Sequence, residues 1–150
     1  MNDRIEKVVE LNAPVSRVWR ALTDHREFGE WFRVNIDQPF APGQPSTGHM
    51  TYPGYEHIKW NAVVQKIEPE HLFSYTWHPY AIDPKQDYSG EPETLIEFTL
   101  ERTATGTLLR LVESGFDKLP EQRRFEAFRM NERGWSQQME NIARHVAAAA

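Results

Sequence analysis

The sequence predicts an α+β fold in which a curved antiparallel β-sheet wraps around one long C-terminal α-helix, with two short helices after the first strand. Three observations lead there. From Phe125 the large apolar residues fall at Phe128, Trp135, Met139, Ile142 and Val146, in steps of three, four or seven, which is the spacing of one helix face. Arg124, Glu132, Arg133, Gln137, Glu140 and Arg144 fill the opposite face. Between Gly48 and Glu113 the apolar period drops to two, in runs separated by turn residues, as expected of hairpin-connected strands. Ahead of them, one strand pattern is followed by two short helical patterns. An amphipathic helix has to bury its apolar face, and the sheet is the only broad surface the chain can offer.

Each element follows in order. Ile5, Val8, Val9 and Leu11 alternate imperfectly and predict a strand over Arg4–Leu11. Ala13-Pro14 ends it. Proline suits a helix start, and Val15, Val18, Trp19 and Leu22 recur at helical spacing as far as Thr23. Asp24 reads as the next N-cap, with Glu27 at capping-box spacing, for a second helix holding Phe28, Trp31 and Phe32. Val34–Phe40 predicts a short strand, and Ala41–Ser46 a turn-rich loop. Gly48–Tyr52 alternates, with Met50 and Tyr52 on one side. Pro53-Gly54 interrupts it, and His57–Ile67 resumes as a longer strand whose one face carries Val63, Gln65 and Ile67. After the turn at Glu68-Pro69-Glu70, His71–His78 puts Phe73, Tyr75 and Trp77 on one face.

Pro79–Glu93 holds three prolines and four acidic residues and predicts an exposed loop, long enough to be functional or mobile. Thr94–Arg102 then directs Ile96, Phe98 and Leu100 inward. After the Ala104-Thr105-Gly106 turn, Thr107–Glu113 directs Leu109, Leu111 and Glu113 inward. The long helix begins after Pro120 with Glu121 in its first turn. Gly134 inside it costs up to about 1 kcal/mol relative to alanine. Close approach of another backbone would explain that cost, or the glycine is simply tolerated. Ala147–Ala150 reads as a frayed tail.

A chain of 150 residues without internal repeats is expected to form one domain spanning 1–150. With 22 acidic against 17 basic residues and a net charge of −5, it has no basic cluster to hold nucleic acid or an anionic membrane. The absence of cysteine excludes disulfides and thiolate chemistry. No run of 18 apolar residues occurs, and Met1-Asn2-Asp3-Arg4 lacks a signal-peptide core, so the expectation is a soluble cytoplasmic protein with no membrane partner.

At this point the sequence resembles the START-like or Bet v 1-like (SRPBCC) helix-grip superfamily, and within it bacterial proteins similar to the C-terminal domain of the Hsp90 ATPase activator. The residues that carry the resemblance are Ala13-Pro14-Val15 with Val18–Asp24, then Trp31-Phe32, Ile67-Glu68-Pro69 and Phe73–Trp77. Glu113-Ser114-Gly115-Phe116 and Asn131–Trp135 follow in the same order. Nearly the whole chain is covered. The resemblance implies the helix-grip fold and a cavity between sheet and helix; its members include ligand carriers, aromatase/cyclase-like enzymes and co-chaperones. This sequence has no stretch matching the eukaryotic activator's separate N-terminal domain, which sets Hsp90 as a partner behind a small molecule.

Among residues able to carry chemistry, Glu113 stands first, because strand alternation turns it inward beside Leu109 and Leu111. A buried carboxyl has a raised pKa and can serve as acid, base or ligand anchor; pairing with an arginine or a helix terminus is the structural alternative. Six histidines show no HxH, HxxxH or HExxH spacing, so no metal is expected. No GxSxG elbow, GxGxxG or Walker pattern appears, and no cofactor is expected. Trp31, Met50, Trp60, Tyr75, Trp77, Phe98, Phe116, Phe128, Trp135 and Met139 are the candidate pocket lining or, singly, ordinary core. Tyr52, Tyr75, Glu113, Asn131 and Gln138 are the polar groups able to orient a ligand.

The leading expectation is therefore a module binding a small hydrophobic, aromatic or lipid-like molecule. Behind it stands a cyclase- or lyase-type enzyme acting on a polyketide-like or aromatic substrate, with Glu113 as base and Tyr75 or Asn131 polarising a carbonyl. A co-chaperone-like interaction module is third. A homodimer through an exposed sheet edge is compatible with the pattern.

Overall fold

The computed structural model describes residues 3–83 and 85–148. In chain order its elements are β1 (Arg4–Leu11), α1 (Val15–Thr23), α2 (His25–Phe32), β2 (Val34–Ile36), β3 (Pro45–Met50), β4 (Lys59–Glu68), β5 (Leu72–Trp77), β6 (Thr94–Arg102), β7 (Thr107–Ser114), a 3-10 turn (Phe116–Lys118) and α3 (Glu121–Ala148). The seven strands form one antiparallel sheet in the order β1-β7-β6-β5-β4-β3-β2. Hairpin neighbours account for every pairing except that of β1, which returns to lie beside β7 with Ile5 opposite Glu113. This is the α+β helix-grip arrangement.

The α1–α2 corner is built by local chemistry. Pro14 starts α1, which buries Val18, Ala21 and Leu22. The Asp24 carboxylate caps α2 by accepting from Arg26 N at 2.9 Å and Glu27 N at 3.3 Å. Glu27 does not reach back to complete a capping box. Its carboxylate accepts instead from Arg17, Arg20 and His145, which ties α1, α2 and α3 together. The Trp31 indole N–H donates to Ala21 O at 2.8 Å, so α2 buries a large ring without stranding its polar atom.

Several expectations change. β2 stops at Ile36, and β3 runs from Pro45 to Met50, earlier than the alternation around Gly48–Tyr52 indicates. β4 turns Trp60, Ala62 and Val64 inward rather than Val63, Gln65 and Ile67. The indole of Trp60 carries far more apolar surface than the amide of Gln65, so it wins the buried side. A bulge at Gln65 then resets the phase, and Ile67 packs on the core after all.

Phe125 is 65% exposed, whereas Ala127 is fully buried. The inward line of α3 is Ala127, Asn131, Trp135, Met139, Ile142 and Val146. Glu132 on its flank accepts from Lys7 of β1 at 2.6 Å. α3 is helical through Ala148 rather than frayed from Ala147; residues 149–150 lie outside the described residues. Gly115, at φ 104°, lets the chain leave β7 and turn toward α3 in a left-handed conformation that L side chains avoid. No helix among the described residues is long and apolar enough to cross a membrane.

Candidate functional site: an aromatic cavity under helix α3

Between the middle of α3, the end of α2, strands β3–β5 and the loop after β5 lies a cavity of about 900 Å³. Its apolar wall is built by Phe32, Met50, Trp60, Trp77 and Trp135. Ring centroids are 5.4 Å apart for Phe32–Trp60, 5.6 Å for Trp60–Trp77, 5.8 Å for Trp77–Trp135 and 5.9 Å for Phe32–Trp135. These rings reach one another because β4 and β5 pair with Ala62 opposite Trp77, while Trp135 descends from α3. Gly134 also lines the space, and a Cβ built on it meets nothing within 4 Å. No backbone approaches it, so the glycine in α3 does not admit a neighbour; it lies exposed at the edge of the cavity.

The third wall is the loop over 79–93, expected to be exposed and functional or mobile. Tyr80, Ile82 and Tyr88 line the cavity from it. Arg123, in the first turn of α3, fastens both ends of this loop. Its guanidinium donates to Pro79 O at 3.0 Å, to Tyr80 O at 3.1 Å and to Glu91 Oε1 at 3.0 Å, and lies 4.8 Å from the Tyr88 ring centre. Tyr80 sits at φ 52°, a left-handed conformation that costs a non-glycine residue on the order of 1 kcal/mol and needs such bonds to persist.

Glu113 lies beneath the wall, fully buried. Its Oε1 accepts from Trp135 Nε1 at 2.8 Å and Asn131 Nδ2 at 3.0 Å. Its Oε2 accepts from Thr94 Oγ1 at 2.6 Å, Trp77 Nε1 at 2.8 Å and Asn131 Nδ2 at 3.2 Å. Burial pushes its carboxyl above the ordinary value, and the donated hydrogen bonds of Thr94, Trp77, Trp135 and Asn131 oppose that shift in part. The expected alternative, pairing with an arginine or a helix terminus, is not what holds it: every bonding partner is a neutral side chain.

The structure brings Met50, Tyr52, Trp60, Trp77, Asn131, Trp135 and Gln138 together on the cavity walls, with Tyr52 at the rim and 52% exposed. Trp60 and Trp135 are at the same time core residues, each 2% exposed, and Met50 and Trp77 pack against that core; Trp31, Tyr75, Phe98, Phe116, Phe128 and Met139 lie in or against it without reaching the cavity. The Tyr75 hydroxyl is buried with no hydrogen-bond partner among the described residues, and burial, then the charge of Glu113, drives its pKa well up. Phe116 and Phe128 pack edge to face at 5.1 Å, pinning the start of α3.

His57 and His78 line the cavity and His49 lies on β3, but no cluster of three metal-ligating side chains occurs among the described residues. Sequence reasoning missed Phe32, Gly134, Tyr80, Ile82, Tyr88 and Arg123 as parts of the site. The costly glycine beside a tryptophan was the one legible signal. A second hollow, of about 450 Å³, lies among the turns around Pro14, Glu70 and Thr105 and carries no aromatic side chain.

Comparison with known proteins agrees with this architecture. The chain is similar to protein MLL2253 from Mesorhizobium loti, with 28% identity, 98% of each chain covered and a TM-score of 0.77. DynU16, a protein of the dynemicin biosynthetic locus, shares the fold at 22% identity and a TM-score of 0.76; the match covers 99% of this chain and 49% of that one. CalU16 from Micromonospora echinospora shares it at 22% identity and a TM-score of 0.64, with 95% and 75% covered. No curated protein matches. The family model described as "Activator of Hsp90 ATPase homolog 1-like protein" matches residues 12–147. Coverage of that extent, on a helix-grip fold, means that the chain belongs to the Activator of Hsp90 ATPase homolog 1-like family of the SRPBCC superfamily.

Proposed function

We propose that this protein binds a small, flat aromatic molecule in the cavity under α3. The observation that carries the reading is the aromatic lining. The ring cluster of Phe32, Trp60, Trp77 and Trp135 borders the space, with Trp77 the most exposed of the four, and a volume of about 900 Å³ lies within the range of small-molecule sites. Aromatic rings gain from stacked or edge-to-face contact beyond the area they bury. Tyr52, Tyr55 and Ile82, three large apolar side chains exposed at the rim, extend the apolar path outward.

Binding is favoured over a cyclase- or lyase-type turnover with Glu113 as base. Both oxygens of that carboxylate are occupied by donors, and the residue has no exposed surface through which to meet a substrate. The family match favours one competing reading, contact with Hsp90. Capture of Hsp90 on immobilised protein, unaffected by Gly134→Leu, would support it.

The test of the binding reading is calorimetric titration with naphthalene-sized aromatics. The wild type is expected to show saturable binding of at least one. Gly134→Leu adds a side chain at the edge of the space and is expected to weaken that binding about tenfold or more, while the thermal midpoint holds or rises because leucine favours helix by up to about 1 kcal/mol over glycine. Unchanged affinity in that variant would remove the cavity from the account.

A further inference from the structure

Glu113 decides which atoms the aromatic wall shows to a ligand. Trp77, Trp135 and Asn131 all line the cavity, and all three turn their N–H groups down onto the buried carboxylate. An indole has one donor and no acceptor. With both N–H groups directed inward, the two tryptophans show the cavity only carbon edges and ring faces. Asn131 is oriented by the same bond: its NH₂ is committed to Glu113, and its Oδ1 has no hydrogen-bond partner among the described residues. Four donors converge on Glu113, and no ion pair among the described residues includes it. The inner wall thus lies over a negative charge, offers a hydrogen-bond acceptor and withholds its donors. The outer rim carries Arg33, Lys59, Asp83 and Asp87; these groups are exposed, of both signs, and screened by solvent.

We infer that the cavity selects an aromatic ring bearing a hydrogen-bond donor and no negative charge, a phenol rather than an aryl carboxylate. In this arrangement Asn131 Oδ1 accepts from the ligand hydroxyl, and Glu113 is the positioning residue that fixes the amide and both indoles. The inference rests on the aromatic-ligand reading above and names the chemistry of that ligand.

The experiment is calorimetric binding of 2-naphthol and 2-naphthoate at about pH 8, where a phenol is neutral and a carboxylate ionised. Wild-type protein is expected to bind the naphthol at least about tenfold more tightly, because a like charge over Glu113 is strongly disfavoured. Glu113→Gln removes the charge and offers Asn131 a donor, so the amide turns and its NH₂ faces the cavity; the preference shrinks or inverts. A purely structural role for Glu113 would weaken both ligands alike and leave their ratio unmoved. Asn131→Leu removes the acceptor while Glu113 keeps both indoles and Thr94; it is expected to cut the ratio about fivefold, and it decides the matter if Glu113→Gln does not fold. Equal or tighter naphthoate binding by the wild type overturns the inference and leaves the cavity reading standing. So does a ratio that neither variant changes. Failure of the wild type to bind either compound takes down both.

Discussion

Two carboxylates organise α3, one near its C-terminal end and one at its middle, with opposite chemistry. Glu27 sits on α2 among Arg17 at 2.7 Å, Arg20 at 2.6 Å and His145 at 2.9 Å. Glu113 sits on β7 among two indoles, a hydroxyl and an amide. Burial pushes the Glu27 carboxyl up, but the hydrogen bonds of His145, Arg17 and Arg20 outweigh it and hold the group below the ordinary range. For Glu113, burial is the larger effect and the neutral donors only moderate it, so the group stands above that range. Neutral donors satisfy a buried carboxylate without cancelling its charge; cations cancel it where water is close enough to keep them solvated. The first arrangement leaves a field under the cavity, and the second leaves only a clasp between helices.

The largest effect expected from breaking this contrast is Glu113→Ala. It strands two indole N–H groups, a hydroxyl and an amide at once and is expected to cost about 3–5 kcal/mol, read as a lowered urea midpoint together with a changed tryptophan emission. Glu27→Ala, at a site whose side chain keeps 21% of its surface exposed, is expected to cost about 2 kcal/mol and to leave both the emission and the ligand preference alone. If the Glu27 variant disturbs ligand preference as much as Glu113→Gln does, the division into field and clasp is wrong.

The finest test is the pH dependence of stability, and here the two signs differ. A carboxyl held low in the folded state contributes stability above its unfolded value, which is lost as the pH falls through the folded value. Glu27 therefore makes the protein acid-sensitive below about 4.5, its ordinary value. A carboxyl held high does the reverse: the folded state keeps its proton longer, and stability declines as the pH rises from about 4.5 through the raised value. Measured as the difference from wild type, Glu27→Gln should flatten the acid limb and Glu113→Gln the decline above it. Coincident limbs in wild type and Glu113→Gln would count against the buried charge.

Much of this fold was legible before any coordinates. β1 and α1 fall where their periodicity places them, and the Asp24 cap is the local hydrogen bond its spacing announces. The inward phase of β5, β6 and β7, and with it the burial of Glu113, follows from alternation alone. The misreadings have physical causes. On β4 both phases carry apolar residues, and only the bulge at Gln65 reconciles them. Phe125 lies at helical spacing from Phe128, but the inward line of α3 runs through Ala127, and two positions earlier Phe125 falls on the far side of the helix.

The set of elements and the face each one buries are thus local properties, because they depend on residues two to four positions apart. The site is a property of the assembled fold. Trp77, Thr94, Asn131 and Trp135 meet Glu113 from β5, β6 and α3, and Trp77 is 36 residues away in the chain. Whether the ring of Tyr75 or of Trp77 faced open space, whether Gly134 met a backbone or a void, and whether Arg123 pinned the loop after β5 rested on strand register and helix rotation. Those are global quantities: a shift of one residue in a strand, or of one position around α3, would leave every local pattern intact and close the cavity.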